Sequence, residues 1–153
     1  MTHLTAGDRT DLRDLVARYA LHADRRDFDA LADLFAPAAA LVLPDPPADL
    51  APVRTHTGRD AIVRALATLR AVPVTSHELA GEVFDAGDEP DTASGHVTCV
   101  AHHITEHDGR LTDLAWHLHY TDAYTRRDGA WRIARRSLQI DWIETRPVRK
   151  ARR

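Results

Sequence analysis

The sequence contains one cysteine, Cys99, in 153 residues. No intramolecular disulfide can form, which fits a reducing compartment, and a cytoplasmic location is expected. No apolar run approaches the ~18–20 residues of a membrane-spanning helix, so no membrane partner is expected. The opening stretch, "MTHLTAGDRTDLRD", lacks a basic segment followed by an apolar one and does not read as a secretory signal. Positive charge is not in excess: 20 Lys and Arg against 23 Asp and Glu leave a formal net charge of −3. That balance argues against a nucleic-acid partner. Also absent are a Gly-rich phosphate loop, a dinucleotide fingerprint, a GxSxG elbow and an HExxH pair. Nucleotide, acyl-serine and zinc-hydrolase chemistry therefore find no support, and no cofactor is expected.

What is present is the make-up of a globular domain, 44% hydrophobic and 28% charged. A chain of this length is most simply one domain, assigned to residues 1–145, with a basic, frayed tail, "RPVRKARR", over 146–153. Arg far outnumbers Lys, a bias read as that of a GC-rich bacterial genome. The oddity is ten histidines, whose ordinary pKa of about 6.5 suits proton transfer near neutrality.

Apolar positions Leu12, Leu15, Val16, Tyr19, Ala20 and Ala23 recur at helical spacing, with Asp8 or Thr10 as the cap. A second, short helix is expected after Asp27, burying Phe28, Leu31, Leu34 and Phe35 and closed by Pro37. "AAALVLP" reads as a strand and "PDPPADLAP" as an irregular, exposed loop. "TGRDAIVRALATLR" reads as a third helix, capped by Thr57 or Gly58, with Ile62, Val63, Leu66 and Leu69 inward. From Pro73 the period changes to two. "VTSHELAGEVFD" sets His77, Leu79 and Val83 against Glu78 and Glu82. Two longer strands follow, joined by a hairpin at "HDGR", and "RDGAW" turns into a last strand. The expected fold is α+β: three N-terminal helices over a strongly curved, mixed or antiparallel sheet, forming a cone that encloses a pocket.

Within that pocket His77 is the natural inward polar residue, because Glu78 and Glu82 take the other face. A buried imidazole needs a partner, since an unpaired polar group costs ~1–3 kcal/mol. Asp24 is a candidate that would also orient the ring. An acid in the last turn of a helix is disfavoured by ~0.3–1 kcal/mol, and Asp24 is rotated ~140° from Tyr19 about the helix axis. It reaches the interior only where the helix is finishing; the alternative is a surface pair with Arg25 or Arg26. His103 shares a strand face with Val97, Cys99 and Ala101. Leu114, Trp116, Leu118 and Tyr120 form a bulky row read as pocket or core, opposite His117 and His119. Those two imidazoles lie ~7 Å apart, near enough to share a metal, but no third ligand is apparent and no metal site is assigned.

"LVARYALHADRRDFDALADLFAPAA", "GRDAIVRAL" and "RRDGAWRIARRSL" together resemble the SnoaL-like branch of the nuclear-transport-factor-2-like superfamily, over nearly the whole chain. The resemblance implies the same cone (the nuclear-transport-factor-2-like or cystatin-like fold), usually as a homodimer. Within that branch the chain is similar to the scytalone dehydratase and bile-acid 7α-dehydratase families. Their patterns imply catalytic roles for Asp24, His77 and His103, and, from the bile-acid enzymes, for Tyr19. At the position of His103 the bile-acid enzymes carry a different acid. The substrate-holding tyrosines of scytalone dehydratase are missing, with Ala23 and Leu43 in their places.

The function expected is cofactor-independent acid/base catalysis, a dehydratase or double-bond isomerase. Its substrate would be a hydrophobic, ring-containing hydroxy-carbonyl compound such as a polyketide, steroid or terpenoid. His77 would be the base, Asp24 its orienter, Tyr19 the donor to the enolate oxygen and His103 the acid for the departing hydroxyl. Trp116, Leu118, Tyr120 and Leu43 would hold the substrate. The alternative is a non-catalytic small-molecule-binding or accessory-subunit protein of the same fold.

Overall fold

In the computed structural model, which describes residues 2–153, neither Asp8 nor Thr10 opens the first helix. Thr5 does, its hydroxyl accepting from the Asp8 backbone while the Asp8 carboxylate accepts from the Thr5 backbone. This reciprocal box satisfies two of the donors a helix start leaves free. Helix α1 runs Ala6–Arg25 and buries the apolar stripe read from its spacing. Asp27 caps α2, Phe28–Asp33. That helix ends before Leu34, so Pro37 does not close it; Phe35, fully buried, begins strand β1, Phe35–Asp45.

"PDPPADLAP" is not a loop. Asp49–Thr57 is a second strand, β2, which pairs antiparallel with β1. Pro46 and Pro47 fall between the two strands, and Pro52 sits on the edge of the sheet, where a missing N–H costs no ladder bond on the outer side. Helix α3, Arg59–Leu66, starts at Gly58 and gives way to a 3₁₀ segment, Ala67–Ala71. Strands β3 (Val74–Ala86), β4 (Thr92–His107), β5 (Arg110–Arg127) and β6 (Ala130–Val148) follow. Asp108–Gly109 and Asp128–Gly129 take positive φ at their hairpin tips, the backbone of the tight turn that suits twisted strands. Because β6 continues to Val148, paired with Leu111 of β5, the assigned tail is strand over its first three residues.

The six strands lie in the order β2-β1-β6-β5-β4-β3, antiparallel except for the parallel pair β1 and β6. The sheet is open, its free edges being β2 and β3. This is the α+β fold with a mixed sheet expected above. A bulge between Leu79 and Gly81 of β3 overturns one expectation. An extra residue exchanges the two faces of a strand, so Val83 points out, 60% exposed, while Phe84 turns into the core. Arg9 on α1 donates to the Phe84 carbonyl at 2.7 Å, fastening the helix to β3 beyond the bulge. No helix of the described residues is long and apolar enough to cross a membrane.

Candidate active site

Helix α1 ends in a way that brings its last turn to β3. Arg26 takes the left-handed conformation (φ 59°), and its backbone N–H returns to the carbonyls of Ala23 and His22. Its guanidinium then crosses to the neighbouring elements, donating to the Val72 carbonyl at 2.8 Å and the Thr75 hydroxyl at 2.6 Å. Asp24 is thereby set against β3. One carboxylate oxygen accepts from the His77 backbone N–H at 2.9 Å. The other accepts from the Thr75 hydroxyl at 2.9 Å and from His77 Nδ1 at 2.7 Å.

The helical-wheel difficulty is resolved by position. Asp24 does not line the central cavity; Tyr19, Ala23 and His77 do. The carboxylate stands behind the imidazole, and the ring spans from α1 to the hollow. Burial is the largest influence on Asp24 and opposes its ionisation. The hydrogen bonds from His77 and Thr75 outweigh it and hold the pKa below the ordinary carboxylate value. An ionised carboxylate only accepts, so His77 Nδ1 carries a proton, and in the neutral ring the Nε2 lone pair is left for the cavity.

Thr75, 2% exposed, was not singled out from sequence, nor was Arg26 as its partner. Replacing Thr75 with Val removes the hydroxyl and keeps the shape. Asp24 loses a donor to its charged form, so its pKa is expected to rise from the depressed value, with Thr75→Ser restoring it. Carboxyl ¹³C titration reads this directly, and an unchanged titration removes Thr75 from the network. A depressed folded pKa contributes stability that is present above the unfolded value and is lost as pH falls through the folded one, so the variant loses part of it.

The cavity has a volume of ≈ 280 Å³. Leu66 of α3, Thr68 and Leu69 of the 3₁₀ segment, and Val72 just after it close one side. Leu43 of β1 and Trp116, Leu118 and Tyr120 of β5 form the walls, together with Ala101, His103 and Thr105 of β4. No Asp, Glu, Lys or Arg is among the lining residues. His103, 6% exposed, places Nδ1 2.9 Å from the Leu114 carbonyl and its ring 4.4 Å from that of Trp116. Burial pushes its pKa below the ordinary value, and the nearby His77 adds to this.

Under two of the lining tyrosines lies a cation that sequence reading passed over. Arg136 is fully buried and donates twice to Asp122, at 2.9 and 2.7 Å. The same carboxylate accepts from the Tyr124 hydroxyl at 2.6 Å. The guanidinium lies 4.3 Å from the Tyr19 ring centre and 3.9 Å from that of Tyr120. Burial alone would depress the Arg136 pKa, but Asp122 holds it raised. Burial pushes the Tyr19 hydroxyl up to about 12, so it remains a neutral donor.

On the outer face of the sheet His117 meets Glu144 at 2.6 Å and His119 meets Asp141 at 3.1 Å. Each imidazole has its own carboxylate. Among the described residues no group of three or more His, Cys, Asp or Glu side chains is arranged to hold a metal.

The profile of a family described as SnoaL-like domain matches residues 5–137. Similar solved structures include a protein of Novosphingobium aromaticivorans provisionally named scytalone dehydratase. It shows TM-score 0.76 and 24% identity, with 94% of this chain and 91% of that one covered. A second is a type 2 hexachlorocyclohexane dehydrochlorinase, LinA (TM-score 0.72, 18% identity, 95% and 91% covered). A third, again from N. aromaticivorans, is a nuclear-transport-factor-2-like protein with a cystatin-like fold (TM-score 0.65, 25% identity, 88% and 82% covered). No curated protein matches the chain in sequence at a significant level.

Proposed function

The chain belongs to the SnoaL-like domain family, and from that membership and the site we propose that it is a cofactor-independent lyase. The reaction is elimination of water, or a comparable leaving group, from a small ring compound. One observation carries the reading: a carboxylate 2.7 Å from His77 Nδ1, with the opposite nitrogen of the ring on an apolar cavity. This is the arrangement of an oriented general base. The solved relatives named for a dehydratase and a dehydrochlorinase support elimination as the reaction class.

For a β-hydroxy carbonyl substrate, His77 Nε2 takes the proton alpha to the carbonyl. Asp24 stabilises the imidazolium that forms. The freed electron pair becomes an enolate, whose oxygen Tyr19 holds by donating its hydroxyl. As the enolate collapses to the conjugated double bond, the C–O bond breaks. The departing hydroxide takes the proton back from His77 and leaves as water, so the base is restored. One residue thus serves as both base and acid. His103 is not needed as the acid, and its depressed pKa leaves it poorly protonated for that task.

An engineered cavity of about 150 Å³ binds benzene, so ≈ 280 Å³ suits a substrate of one or two rings. A four-ring steroid would not be enclosed. The test is a panel of one- and two-ring β-hydroxy ketones, with deconjugated enones beside them, incubated without added cofactor. Appearance of the conjugated product by absorbance is the expected result. If ligands bind the cavity and none is converted, the protein is a small-molecule binder instead.

A further inference from the structure

We infer that His103 selects the substrate by accepting a hydrogen bond from a hydroxyl or similar donor that the substrate carries, so that the cavity favours neutral phenols and alcohols over ring compounds of equal size without a donor. The inference rests on the cavity being the substrate site, as proposed above. It concerns which molecules enter and not the chemical step.

The geometry decides the ring's role. A backbone carbonyl can only accept, so the contact of His103 Nδ1 with Leu114 O at 2.9 Å requires the proton on Nδ1. In the neutral ring Nε2 then carries a lone pair and no hydrogen. His103 lines the cavity, and Nε2 makes no hydrogen bond to any described residue. Trp116, whose ring packs against the imidazole, is itself only a donor. His77 is pinned in the same tautomer by Asp24. The cavity therefore presents two acceptors from its imidazoles, one needed as the base and the other left over.

A ligand that fills an apolar hollow displaces water from that leftover acceptor. If it brings no donor, the lone pair is desolvated without replacement, and a buried unpaired polar group is costly. A site built to bond a hydroxyl rejects the analogue that lacks it far more strongly than an apolar site rejects a missing methylene. His103 is thus an element of the pocket able to tell a hydroxylated ring from a bare one.

The test compares 2-naphthol with naphthalene, which has the same ring system and lacks the donor. Binding to the full chain is followed by the chemical shifts of the tryptophan and histidine ring protons. The wild type is expected to hold 2-naphthol roughly 10- to 100-fold more tightly. In His103→Leu the preference shrinks to what the remaining His77 acceptor supplies, in His103→Gln, which keeps an acceptor oxygen, most of it remains, and in His77→Leu it persists. A long-range ¹H–¹⁵N spectrum of the wild type gives a check independent of any variant, since neutral His103 must carry its proton on Nδ1. A proton on Nε2, equal binding of the two probes, binding of neither, or a preference that vanishes with His77 instead of His103 overturns the inference. A protein that prefers 2-naphthol through His103 but converts nothing in the elimination panel keeps this inference and loses the enzymatic one.

Discussion

His77→Ala is expected to lower turnover by ~10²–10⁴-fold on a substrate identified in the elimination panel, with no change in fold by circular dichroism. The ring is removed from a cavity wall that Tyr19, Trp116 and Tyr120 still line, so ligand affinity should fall far less than turnover. Asp24→Asn tests the same unit from behind. Each carboxylate oxygen now accepts from a donor, one from the His77 backbone and the other from Thr75 and His77 Nδ1. An amide in that place must turn its NH₂ toward one of these donors. Turned toward the imidazole, it drives the proton from Nδ1 to Nε2, where the ring can no longer take a proton from the substrate. Residues that act as one unit are grossly non-additive, so the double variant should be no slower than His77→Ala alone. Independent, multiplying losses would mean that Asp24 works through something other than His77, and full activity in either single variant would remove the proposed base.

Much of that unit was legible in the chain because it rests on local patterns. The apolar stripe of α1, the Asp27 cap and the change to period two before His77 are features of neighbouring residues, and neighbouring residues decide them. What escaped depends on distant pairing. β2 was hidden by its prolines, which read as loop punctuation until β1 supplies a partner and places Pro52 on a free edge. Val83 was assigned to the wrong face because one extra residue at Leu79–Gly81 reverses the alternation that fixes faces. Asp24 looked misplaced on the helical wheel because the wheel asks which residues face the hollow, whereas this carboxylate acts from behind a histidine that does. Arg136 left a signal that was passed over. It shares parity with Leu138 and Ile140, and Asp122 shares parity with Leu118, Tyr120 and Tyr124. Opposite charges on the inward rows of two adjacent strands announce a buried pair once the register Asp122↔Arg136 is known.

That pair predicts the largest stability change in the molecule. Arg136→Met removes the guanidinium from a site with no exposure and leaves the Asp122 carboxylate, equally buried, with only the Tyr124 hydroxyl. Breaking a buried ion pair by removing one partner costs about 3–5 kcal/mol, because the remaining charge is left uncompensated. Against a typical domain stability of ~5–15 kcal/mol, that loss should move the urea midpoint sharply downward. Neutralising both partners removes the uncompensated charge, so Asp122→Asn combined with Arg136→Met should be less destabilised than Arg136→Met alone, and a double-mutant cycle should report strong coupling. The pair is also the bed on which the Tyr19 and Tyr120 rings rest, at 4.3 and 3.9 Å. The double variant, if it recovers stability without restoring the cation, should therefore still bind cavity ligands more weakly than the wild type. A cost below about 1 kcal/mol for Arg136→Met, the range of an exposed pair, would mean that Asp122 finds solvent or a proton when its partner goes, and that the charge beneath the tyrosines is not sealed from water.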